Sequence, residues 1–260
     1  MSTLAVLLGH DIAYSASPAI HNAAFAACGL AARYELRDVA IDALHAEIVA
    51  LRDETRLGAN VTKPYKIAAC ELMDELAPEV ERTGALNTVR RVGNRLIGHN
   101  TDLPALLEEL SAVARQLGSS PRRAVILGAG GAARTAIAAL EELGCTEVAT
   151  VTRASWASSP ATIRAADLLV NATPIGTGGV DSPIAADLLR PGLGVLDLVY
   201  RPSPTRLVRE ARARGAVARD GSGMLLRQAA ASFELWTGLR APIDAMRAAL
   251  RSELGRLAGA

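Results

Sequence analysis

The stretch Ala124-Val125-Ile126-Leu127-Gly128-Ala129-Gly130-Gly131-Ala132-Ala133 decides the fold. Four apolar residues followed at once by glycines read as a short buried strand that stops abruptly. Ala132–Leu143 then has the composition of a helix, ended by Gly144. Strand, glycine turn and helix in that order form the context in which a glycine loop binds a dinucleotide. Gly128 makes the tight turn, Gly130 lets the backbone approach a pyrophosphate, and Ala133 takes the close-packing position. The amides at the helix start point at the anion, aided by the helix dipole.

Downstream, Glu147–Thr152, Asp167–Ala172, Gly194–Val199 and Ala216–Arg219 read as further strands, with a helix over Ser203–Arg214. Short apolar runs separated by helices predict a parallel sheet covered on both faces. The strand after the glycine helix ends Val151-Thr152-Arg153 with no acid nearby to hold an NAD ribose. Arg153 is placed to meet a 2′-phosphate, so the cofactor expected is NADP, with NAD as the alternative. The plainer reading of Arg153 is an ordinary surface arginine.

Upstream, Gly118-Ser119-Ser120-Pro121 marks a linker. Before it, strands are expected at Leu4–Gly9, Tyr34–Val39 and Gly58–Thr62. Ser17-Pro18 opens a helix to about Cys28, Asp42 caps a helix to Glu54, and a helical stretch spans Tyr65–Glu81. Ala85–Val92 and Arg95–Asn100 form a hairpin through Gly93-Asn94, and Leu103–Leu117 is a helix. Met224–Trp236 and Pro242–Leu257 close the chain as helices.

The 260 residues are 50% hydrophobic and 21% charged, as in a soluble globular protein. A net charge of +1 gives no basic field for nucleic acid. No apolar run reaches the roughly 18–20 residues of a membrane span. The N-terminus lacks the basic start of a secretory signal. Cys28, Cys70 and Cys145 are scattered, which favours reduced thiols in a cytoplasmic protein and no metal site. Only two lysines, Lys63 and Lys66, occur among 28 basic residues, and both lie in Asn60-Val61-Thr62-Lys63-Pro64-Tyr65-Lys66. Arginine replaces lysine wherever charge suffices, but not where a proton must move near neutral pH. Asp102, at the junction of hairpin and helix, reads either as a helix cap or as the carboxylate partner of such a lysine. Spacing alone does not bring Lys66 and Asp102 together.

Several motifs in order resemble the shikimate dehydrogenase family across nearly the whole chain. They are Ser15-Ala16-Ser17-Pro18 with His21-Asn22, Asn60 to Lys66, Gly84-Ala85-Leu86-Asn87-Thr88, and Asn100-Thr101-Asp102. Asn171-Ala172-Thr173-Pro174, Asp197-Leu198-Val199-Tyr200-Arg201-Pro202 and Gly221-Ser222-Gly223-Met224-Leu225 with Gln228 complete them. The resemblance implies an α/β protein with a Rossmann domain at 104–221. A smaller α/β substrate domain would span 1–103, completed by the helices of 222–260, with the active-site cleft between them. It implies that Ser15 and Ser17 hold the substrate carboxylate. Thr62, Asn87, Tyr200 and Gln228 would hold carboxylate or ring hydroxyls, and Lys66 with Asp102 would form the acid–base pair. Gly128 to Ala132 would hold the pyrophosphate, Thr152 and Arg153 the ribose phosphate, and Val199 and Gly221 would line the nicotinamide.

The implied reaction is NADPH-dependent reduction of 3-dehydroshikimate to shikimate, in a monomer or homodimer. A paralogue acting on quinate or an amino-shikimate with NAD or NADP is the alternative, and a non-catalytic dinucleotide sensor a more distant one. The chain departs from the family at Asp11 (usually proline), Tyr14 (usually histidine), Ala105 (usually glycine) and Thr177 (usually methionine). No second basic residue follows Arg153 in Thr152-Arg153-Ala154-Ser155-Trp156.

Overall fold

The structure is a computed structural model that describes residues 3–179 and 181–258. The chain divides into two compact units, Met1–Asp102 with Leu226–Arg256 and Leu103–Leu225 with Leu257–Ala260.

The second unit is built on five parallel strands: β7 (Arg123–Leu127), β8 (Glu147–Val151), β9 (Leu168–Asn171), β10 (Gly194–Asp197) and β11 (Val217–Arg219). Their order is β11-β10-β9-β7-β8, and every pairing is parallel. Side chains of a strand alternate between faces, and here each face has its own core. Ile126, Leu168, Val170 and Leu196 enter one cluster, with Leu106, Leu110 and Val113 of α4 (Asp102–Leu117) and the alanines of α5 (Gly131–Leu143). Val125, Leu169 and Val195 enter the other, with Leu207, Val208 and Ala211 of α7 (Arg206–Ala213). Burial on both faces is why these strands read as unbroken apolar runs. The chain leaves β7 toward β8 on one side and reaches β9 on the other. Strand order therefore reverses beside the end of β7, where the glycine loop begins.

The first unit carries a six-stranded mixed sheet of order β2-β1-β3-β5-β6-β4. Its strands are β1 (Thr3–Gly9), β2 (Ala32–Asp38), β3 (Arg56–Val61), β4 (Glu75–Leu76), β5 (Thr88–Val92) and β6 (Arg95–His99). β1 pairs parallel with β2 and β3, and β5 with β6 form the expected antiparallel hairpin. Leu4, Val6, Leu8, Ala59 and Val61 pack on one face with Leu44 and Ile48 of α2 (Leu44–Ala50). Order reverses again between β1 and β3, so the loops after them, 10–16 and 62–67, sit at a second crossover point. Also in this unit are α1 (Ser17–Ala27), most of α8 (Ser222–Thr237) and α9 (Ile243–Ala258).

Three local expectations fail. The stretch Tyr65–Glu81 is not one helix. It holds a 3-10 turn at Ala68–Leu72, the two-residue β4, and α3 (Pro78–Thr83). Its residues favour helix, but β4 pairs with β6 and Asp74 bonds both ways with Leu96: its amide donates to the Leu96 carbonyl and its carboxylate accepts the Leu96 amide. Asp42 caps nothing with its side chain, since it lies inside a 3-10 turn, Ile41–Ala43, ahead of α2. The helix expected from Ser203 starts at Arg206, where the Thr205 hydroxyl accepts the Val208 amide as a true N-cap.

Candidate active site

Tyr65 and Lys66 are neighbours with opposite fates. Tyr65 is buried, and its hydroxyl donates to the Val39 carbonyl at 2.5 Å. That anchor fixes the segment while Lys66 stays partly open. Lys66 Nζ lies 2.5 Å from Asp102 Oδ2. The other carboxylate oxygen, Oδ1, accepts from Asn87 Nδ2 at 2.9 Å. Asp102 is the first residue of α4, yet both of its oxygens are engaged by these side chains. The Lys66 side chain is 17% exposed and that of Asp102 5%, so the pair is shielded but reachable.

Beneath the pair lies a closed polar network. The Asn87 amide also reaches Thr101 Oγ1 at 2.9 Å and Gln228 Oε1 at 3.3 Å, while its oxygen accepts the Thr101 amide at 2.7 Å. Asn60 donates to the Asn87 carbonyl, Thr88 Oγ1 and Ser232 Oγ, and accepts from the Tyr34 hydroxyl at 2.8 Å. Buried polar groups must be paired, and here they are paired with one another, which leaves Asn87 little freedom to turn. Asn60 is thus spent on the protein rather than on a ligand. Ser232 is not singled out by the sequence. It is one turn beyond Gln228 on α8, and that four-residue spacing is the available signal.

Ser15 and Ser17 meet as a pair: Ser15 Oγ donates to Ser17 Oγ at 3.2 Å and accepts the Ser17 amide at 3.3 Å. Ser17 opens α1, but its hydroxyl is not the cap, since Ala16 holds that position and no side chain caps the helix. Asp38, at the end of β2, accepts from the amides of Asp11 and Ile12 and from the His10 ring, and so shapes the loop before the serines. Asp11 stands there at φ 53°, a left-handed conformation closed to the proline usual in the family. Thr62 sits in the neighbouring loop, with its amide on the Leu8 carbonyl at 2.9 Å. Lys63 stands over the ring of Tyr14, 5.0 Å from its centre.

In the second unit, Gly128 has φ +114°, and a Cβ there would lie 3.2 Å from the Ala172 carbonyl group. Only glycine suits that position. At Gly130 a Cβ would meet nothing within 4 Å, so open space lies beside the loop. No side chain caps α5, so its first amides are not taken up by a capping group. Thr152 and Ser155 form a capping box for a 3-10 turn over Arg153–Ser158, leaving Arg153 exposed just past β8. These features fit a dinucleotide phosphate.

Val199 and Gly221 come together. The Gly221 amide donates to the Val199 carbonyl at 3.0 Å, and a Cβ on Gly221 would fall 2.3 Å from the Leu198 oxygen. Asp197, not predicted as a site residue, holds this corner. It accepts from Asn171 Nδ2, Thr205 Oγ1 and the Val199 amide. Burial pushes its carboxyl up to about 6, against the lowering effect of those bonds. Tyr200, expected to touch substrate, is half-buried in this second unit, whereas Asn87 and Gln228 lie in the first.

Among the described residues there is no cluster able to hold a metal and no helix long and apolar enough to cross a membrane. Residues 7–89 match the shikimate dehydrogenase substrate binding domain, and residues 221–251 the shikimate 5′-dehydrogenase C-terminal domain. A shikimate dehydrogenase (NADP(+)) of Thermus thermophilus is 42% identical over 264 residues, covering 96% of this chain and 98% of the relative. The crystal structure of a shikimate 5-dehydrogenase from Thermus thermophilus in complex with NADP(H) and shikimate is 39% identical with a TM-score of 0.86, covering 96% and 99% of the two chains. Quinate dehydrogenase from Corynebacterium glutamicum in complex with NAD is more distant, at 29% identity and a TM-score of 0.81, covering 96% and 99%. Identity of this degree over nearly full length, joined to the motifs and geometry above, places the chain in the shikimate dehydrogenase family.

Proposed function

We propose that the chain catalyses the NADP-dependent interconversion of 3-dehydroshikimate and shikimate. The observation that carries this reading is the Lys66–Asp102 pair, held at 2.5 Å with Asn87 on the far carboxylate oxygen. Reduction of a ring ketone turns its oxygen into an alkoxide, which needs a proton. Lys66 holds a proton that can move, as arginine could not. Asp102 keeps the ammonium in place and stabilises its charge, and Asn87 orients Asp102. In the reverse direction Lys66 takes the proton of the substrate hydroxyl.

Ser15 and Ser17 fit the substrate carboxylate, with Thr62, Asn87, Gln228 and Tyr200 on carboxylate or ring hydroxyls. In the second unit, Gly128 to Ala132 would hold the pyrophosphate, Thr152 and Arg153 the 2′-phosphate, and Val199 with Gly221 the nicotinamide. NADP, when bound, supplies the hydride for reduction and takes it up in the reverse direction. The Rossmann unit is therefore read as 104–221, and the substrate unit as 1–103 completed by 222–260.

The likeness to a quinate dehydrogenase, together with a sequence in which no second basic residue closely follows Arg153, favours a second reading in which quinate and NAD are used. One kinetic grid decides between them: shikimate and quinate, each with NADP+ and NAD+. The proposed activity requires kcat/KM to be highest for shikimate with NADP+. A higher value for quinate sinks it.

A further inference from the structure

Of the chain's two lysines, Lys63 is the one that the acid–base mechanism does not use. It leaves the end of β3, and Tyr14 stands in the loop that leaves β1. β1 and β3 are paired neighbours, with Leu8 opposite Val61. The two loops are stitched together beyond the sheet: the Thr62 amide donates to the Leu8 carbonyl at 2.9 Å and the His10 amide to the Lys63 carbonyl at 3.1 Å. Chain continuity puts Tyr14 next to Ser15 and Lys63 next to Thr62. The ring–cation contact is therefore one residue along the chain from Ser15, in the loop that carries the hydroxyls read above as the carboxylate site.

Two further observations bear on what Lys63 does there. It is exposed, and among the described residues it forms no ion pair; its contact is the Tyr14 ring at 5.0 Å. A ring face steadies an ammonium without neutralising it. The paired serines, in turn, offer only neutral donors. Hydroxyls fix the direction of a carboxylate but leave its charge unbalanced, and they discriminate weakly against an uncharged ester or amide of the same shape.

We propose that Lys63, carried on the face of Tyr14, is the cation that selects a carboxylate-bearing substrate at the Ser15–Ser17 hydroxyls. The inference rests on the reading of those serines as the carboxylate site. The contact of Lys63 with substrate would be made in binding and kept through the reaction, so it lowers KM and leaves kcat alone.

The test compares shikimate with its uncharged methyl ester in wild type, Lys63→Gln, Lys63→Arg and Tyr14→Leu, at low and high salt. Lys63→Gln is expected to raise KM for shikimate by roughly tenfold, the scale of one charge-assisted contact, with kcat within about twofold of wild type. KM for the ester stays at its wild-type value, and the salt dependence of KM for shikimate is lost. Lys63→Arg restores part of the effect, and Tyr14→Leu, which removes the ring but no charge, gives a smaller rise. An unchanged KM for shikimate in Lys63→Gln overturns the proposal, as does an equal rise for acid and ester. A wild-type protein that turns over quinate and not shikimate overturns the proposed activity instead. Lys63 is then judged by the same comparison on quinate and its methyl ester.

Discussion

Both units have a point where strand order reverses, beside the ends of β1 and β3 in one and of β7 and β9 in the other. Binding sites form at such points because neighbouring loops diverge there. The two are furnished differently. Beside β7 the groups proposed to meet the cofactor are mostly main chain, with Gly128 at positive φ, open space at Gly130 and uncapped amides of α5, joined by one exposed side chain, Arg153. Beside β3 the groups proposed for the chemistry are side chains, Lys66, Asp102, Asn87 and Gln228, braced from below by Asn60, Thr101 and Ser232 through hydrogen bonds and mostly buried. The contrast follows from chemistry. A pyrophosphate is a diffuse anion that many amides can share, so small residues that clear the way suffice. Moving a proton to one oxygen needs one donor at a fixed angle, and only a braced side chain provides it.

Breaking the braced region has the largest expected effect. Lys66→Ala is expected to lower kcat by about 10²–10⁴, the usual range for loss of a general acid or base. Near-normal steady-state turnover in that variant would refute the role given to Lys66. Asp102→Asn keeps the shape and removes the charge, so kcat should again fall. If only the melting temperature moved, Asp102 would matter to α4 alone. The region beside β7 answers more gently, through its one charged side chain. Arg153→Gln is expected to raise KM for NADP+ by roughly ten- to a hundredfold, the span of a lost charge-assisted phosphate contact, with KM for NAD+ nearly unchanged. Equal losses with both cofactors would show that Arg153 does not read the 2′-phosphate.

The same contrast governs how much can be read in advance. The glycine loop is legible because its demands are local: a strand of apolar residues, a position only glycine tolerates, and a helix start all occur within ten residues. The alternation of Val125 and Ile126 between two cores is legible for the same reason. The contact of Lys66 with Asp102 is not, because 36 residues separate them and the path between them folds against its composition. The Tyr65–Glu81 segment has helical composition, but pairing of β4 with β6 and the Arg52–Asp74 bridge override it. Ser232 stays hidden because a serine on a helix reveals its role only once the opposite surface is known.

The smallest and most discriminating expectation concerns protons that neither site uses. His21, in the first unit, is fully buried, stacked on Tyr34 at 4.3 Å, with neither ring nitrogen hydrogen-bonded. Burial pushes its pKa down to about 3 from 6.5, only partly opposed by the nearby Asn60 amide. The unfolded chain therefore binds this proton first, and stability falls as pH drops below 6.5, by about 1.4 kcal/mol per unit. Asp197, in the second unit, behaves oppositely. Its pKa is raised from 3.8 to about 6, so the folded form holds the proton longer, and stability falls as pH rises through that window. Between pH 4 and 6 the two slopes offset each other in the whole chain.

Removing one group uncovers the other. In urea titrations, His21→Leu should show stability declining from pH 4 to 6 relative to wild type, and Asp197→Asn should show it rising. Parallel curves for the two variants would mean that at least one of these groups does not titrate as its burial demands. The assignment to units is checked by hydrogen exchange, where the His21 variant should shift the pH response of amides in β1 to β3 and the Asp197 variant that of β9 and β10. Opposite responses confined to those strands would show that the two regions differ in proton linkage as well as in how they hold their ligands.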